Sequence, residues 1–73
     1  MMHVYVAIVP LRYEIMAVAE SPDEAIELAS AKALQFLRES NAVTMDTNTA
    51  SKVAEYFGVN VTQIKLGTAV VMG

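Results

Sequence analysis

The sequence predicts a small α+β domain: a three-stranded, mainly antiparallel sheet with a long helix packed on one face. The expected order is strand, strand, helix, helix, strand. Three observations point there. Two apolar runs flank Pro10 with the alternation of strands. A Ser-Pro-Asp-Glu sequence then opens an alanine-rich stretch with helical spacing. A β-branched run follows Gly58. At 73 residues the chain is one domain, 1–73.

His3 to Val9 reads as the first strand. Val4, Val6 and Ile8 share one face, and His3, Tyr5, Ala7 and Val9 share the other. Both faces are largely apolar, which predicts burial on both sides. Pro10 ends the run. Arg12 to Ala19 reads as a second strand, with Tyr13, Ile15, Ala17 and Ala19 on one face and Arg12, Glu14, Met16 and Val18 on the other. The short link predicts an antiparallel hairpin.

Ser21 fits a helix N-cap, Pro22 the first helical position and Glu24 the third. The helix should run from Pro22 to about Ser40. Ala25, Ala29, Ala33 and Phe36 form its apolar stripe, beside Ile26 and Leu37. Leu28 and Leu34 fall on opposite flanks. The alanine ridge predicts a close approach to the sheet. Asn41 to Thr47 reads as a connection, and Asp46, Thr47 or Asn48 is expected to cap a second helix ending at Phe57. Ala50, Val53, Ala54 and Phe57 have the spacing of its apolar face. Gly58 suits a left-handed cap, and Val61 to Met72 reads as the third strand.

The composition narrows function. Hydrophobic residues make up 55% and charged residues 18%, which excludes a disordered or polybasic chain. There is no cysteine, so disulfide frameworks, cysteine zinc sites and thiol catalysis are excluded. The net charge is -3, and Arg12, Lys32, Arg38, Lys52 and Lys65 are scattered, which disfavours nucleic acid as a partner. No apolar run reaches membrane-spanning length. The first basic side chain, Arg12, follows the first apolar run, unlike a secretory signal, so a cytoplasmic protein is expected.

No constellation for catalysis, cofactor or metal binding is legible. His3 is the only histidine and reads as a strand-end residue. Glu24 and Glu27 are helical neighbours on a solvated face. The reading is a non-enzyme without cofactors.

One helix covers one sheet face. The other, read here as the face of Tyr5, Ala7 and Val9, is left with too little chain to cover it. An uncovered apolar face marks an interface. The expectation is a homo-oligomer, with a dimer favoured and a second protein as the other partner. Tyr5, Ala7 and Val9 carry that interface, joined by Tyr13 and Met72. The competing reading has the second helix cover this face and complete a monomer.

Two partial resemblances point elsewhere. Val53-Ala54, Gly58-Val59 and Ile64 resemble a helix-turn-helix unit spanning residues 49–66. That unit implies a DNA-binding or antitoxin-like regulator using Lys52, Thr62, Gln63 and Lys65. Over roughly half the chain, Tyr5-Val6-Ala7-Ile8-Val9-Pro10, a second strand and Ser21-Pro22-Asp23-Glu24-Ala25 resemble a HicB-type antitoxin core. That resemblance implies binding to a toxin ribonuclease, and to DNA through a C-terminal module. The chain lacks the family's glycine-containing segment after Val-Pro and the strand before Val4.

Overall fold

The computed structural model describes residues 3–69. β1 (His3–Pro10) and β2 (Glu14–Ala19) form an antiparallel hairpin. α1 (Pro22–Glu39), α2 (Ala50–Phe57) and β3 (Asn60–Lys65) follow. The sheet order is β2-β1-β3, and both pairings are antiparallel. This is the predicted α+β architecture, with β1 central because it supplies apolar side chains to both faces. No helix among the described residues is long and apolar enough to cross a membrane.

β2 begins two residues later than expected, at Glu14. Leu11 to Tyr13 make the connection. There Tyr13 meets Phe36 of α1 edge-on, with ring centroids 6.1 Å apart, and the Arg12 guanidinium lies 5.9 Å from the Tyr13 ring centre.

α1 starts as predicted: Ser21 Oγ accepts the Glu24 N–H at 3.2 Å, and Pro22 sits where no N–H is needed. It ends in a Schellman arrangement. Asn41 has φ 55, and the Ala42 N–H donates to the Leu37 carbonyl at 2.8 Å. α2 is capped by Thr49, whose Oγ1 accepts the Lys52 N–H at 3.2 Å. None of Asp46, Thr47 or Asn48 takes that role. Thr47 is instead buried, and its Oγ1 closes the preceding loop by accepting the Thr44 N–H at 3.0 Å.

α1 and α2 lie in one layer on the same side of the sheet. The core between layers holds Ala7, Val9, Ala19, Ala25, Ala29, Ala33, Leu34, Leu37 and Val53. Leu34, expected on a flank, is buried because α2 packs on that side of α1. The alanine ridge meets a sheet surface that is itself small: Ala7 pairs with Ala17, and Ala19 lies two residues on. Methyl groups on both sides let the helix axis come close. The cost is a thin core, whose largest fully buried side chains are Val9 and Val53.

β3 is shorter than expected among the described residues, and Val70 to Met72 of the expected strand lie outside them. It ends at Lys65 in a turn where Gly67 has φ 83 and the Thr68 N–H donates to the Lys65 carbonyl at 3.2 Å. The helix-turn-helix expected over 49–66 does not form. Val61, Thr62 and Ile64 extend along β1, and β-branched side chains suit that pleated surface.

Candidate interaction surface

Register fixes which side chains share a face. Tyr5, Ala7 and Val9 pair with Ala19, Ala17 and Ile15, and all of them face the helices. Ala7 and Val9 are fully buried there and Tyr5 packs against the same core. The expected interface face is therefore the covered one. The assignment is reversed by the alanine ridge, which demands the small surface of Ala7, Ala17 and Ala19.

The open face carries the other set. Val4, Val6 and Ile8 of β1 stand between Met16 and Val18 of β2 and Ile64 of β3. Val6 is opposite Val18 on one side and Thr62 on the other, and Ile8 is opposite Met16. No helix lies over them. Met16 is 64% and Val18 52% exposed. Val6 is only 7% exposed, because its neighbours on the same face crowd it. Asn60 and Thr62 line one margin and Glu14 one corner. Val53 of α2 joins the core beside Ala7 and Val9, so the second helix helps α1 cover the face of Tyr5, Ala7 and Val9, and the opposite face is the one left open.

Of the other expected interface residues, Tyr13 is 62% exposed in the hairpin connection, away from the open face. Met72 lies outside the described residues. The residues read as contacting DNA do not converge. Thr62 is on the open face, and Gln63 and Lys65 are on the opposite side of β3. Lys52 belongs to α2, where its Nζ donates to the Met45 carbonyl at 3.1 Å. His3 is exposed at the start of β1, opposite Lys65. Among the described residues, no three His, Asp or Glu side chains are grouped to hold a metal ion.

The apolar side chains of Val4, Val6, Ile8, Met16, Val18 and Ile64 were legible as one side of each strand. What was missed is that this side stays free. The available signal was narrower: Ala7, Ala17 and Ala19 form a small patch on one face that matches the alanine ridge of α1.

No family model matches the chain, and no curated protein or solved structure gives a significant match.

Proposed function

We propose that this protein is a small non-catalytic interaction module that acts as a homodimer, with the open sheet face as its contact. The observation that carries this is the apolar band of Val4, Val6, Ile8, Met16, Val18 and Ile64, with no element over it among the described residues.

Chemistry supports a second copy as the occupant. A two-fold contact requires a surface complementary to itself. The apolar band meets that condition, and its corner charge, Glu14, gives no pattern that selects a basic partner. A cytoplasmic location belongs to the same proposal.

Light scattering across a dilution series tests it. The wild-type chain should have twice the monomer mass. Met16→Lys should give a monomer with unchanged far-UV circular dichroism, because Met16 is exposed in the single chain and a lysine there costs the fold little. A wild-type chain that stays monomeric at all concentrations would overturn the reading and direct the search to a different protein on the same face.

A further inference from the structure

The sheet has two outer strands, β2 and β3, and they are guarded differently. An edge strand presents unpaired N–H and C=O groups, which proteins blunt with charge, proline, a bulge or a covering segment. β3 is blunted. It carries Asn60, Gln63 and Lys65, and the Lys65 carbonyl already accepts from the Thr68 N–H at 3.2 Å and from Thr68 Oγ1 at 2.6 Å. β2 has none of these devices. Its sequence is Glu-Ile-Met-Ala-Val-Ala, with no lysine, arginine or proline. Its register with β1 runs from Ala19 opposite Tyr5 to Glu14 opposite Pro10 without a skipped residue, so no bulge turns it away. Among the described residues, nothing pairs with its outer side. Alternate residues of β2 therefore hold free backbone donors and acceptors.

Charge decides what fits there. Glu14 opens β2 and Glu20 directly follows it, and both are exposed. The stretch from Glu14 to Glu20 has a carboxylate at each end, an apolar middle and no basic side chain. Pairing with β2 of a second copy adds two more carboxylates to the same ladder, and like charges facing across strands are destabilising. Pairing with β3 of a second copy is head-to-tail and does not close. An extended strand with an apolar middle and a basic residue at each end matches both the free ladder and the charges.

We propose that the β2 edge binds an extended segment of another protein, added as a fourth strand, whose β-branched middle is flanked by lysine or arginine. Main-chain hydrogen bonds hold such a strand and its side chains select it. The proposal is independent of the dimer reading, because ladder bonds lie in the plane of the sheet and the dimer contact uses side chains standing on it.

The probe is the acetylated and amidated peptide Lys-Thr-Val-Thr-Val-Thr-Lys. Laid antiparallel, it sets a lysine opposite each glutamate and a valine opposite each of Met16 and Val18. The controls are the same peptide with glutamate at both ends, and the lysine peptide N-methylated along its middle. Amide NMR titration should show saturable shifts at Ile15 to Ala19 and slowed hydrogen exchange in β2 with the unmethylated lysine peptide, weakening as salt rises. Glu14→Gln and Glu20→Gln should each weaken binding up to about fivefold, the size of one cross-strand charge pair. The double variant Glu14→Lys/Glu20→Lys should prefer the glutamate peptide. Equal binding of the lysine and glutamate peptides, undiminished binding of the N-methylated one, or no shift in β2 would overturn the proposal. Disulfide-linked dimers of Ala17→Cys, the residue that a β2–β2 ladder centred there sets against itself, would overturn it by placing a second copy at the edge.

Discussion

Gly58 occupies a demanding backbone position. Its φ is 80 and its ψ 162, a region reached almost only by glycine. The sequence reading placed it in a left-handed helical cap. The observed ψ is extended instead, because the chain must turn from α2 directly into β3 two residues later. Nothing lies within 4 Å of a Cβ added there, so any penalty is conformational rather than steric against neighbours. Gly58→Ala should therefore destabilise the protein by about 1–3 kcal/mol, measured by urea unfolding. An unchanged midpoint would mean that the α2–β3 link relaxes freely.

The elements differ in how plainly local chemistry declares them. α1 has a serine cap, a proline at its first position and an Asn41 terminator, and its bounds were read within a residue. α2 was found by its apolar spacing, but its cap was misplaced. Thr47, Asn48 and Thr49 are all chemically able to cap, and the choice falls to Thr49 because Thr47 is held by Thr44 in the loop. Thr49→Ala should cost about 1 kcal/mol, and Thr47→Val should leave α2 capped while loosening the loop. Chemical denaturation together with amide exchange in α2 separates the two. Exchange in α2 that is unaffected by Thr49→Ala would contradict the cap assignment. The third strand shows the limit of composition alone. Val61 to Met72 is rich in strand-forming residues, and Gly67, the one position in it that reads as a bulge or an end, lies in the turn that follows Lys65.

At the scale of the whole molecule, the core is thin and one sheet face is uncovered. Half of the buried apolar residues among those described are alanines, which contribute little area per residue. A dimer buried across the Val4–Val6–Ile8 face would link folding to association. The melting temperature should then rise with protein concentration, and Met16→Lys should remove that dependence. A melting temperature independent of concentration over an about hundredfold range would separate folding from association.

The sequence by itself determined the fold class, the element order, the start of α1, the antiparallel hairpin and the surplus of apolar surface. These depend on short-range periodicity and on caps, which act over a few residues. Only the tertiary structure decided which sheet face the helices cover, that α2 joins α1 in one layer, and that residues 60–65 pair with β1. Periodicity sorts Tyr5, Ala7 and Val9 from Val4, Val6 and Ile8, but both sets are apolar. The choice between them rests on how closely an alanine ridge approaches Ala7, Ala17 and Ala19, a fit between side chains brought together from separate elements of the chain.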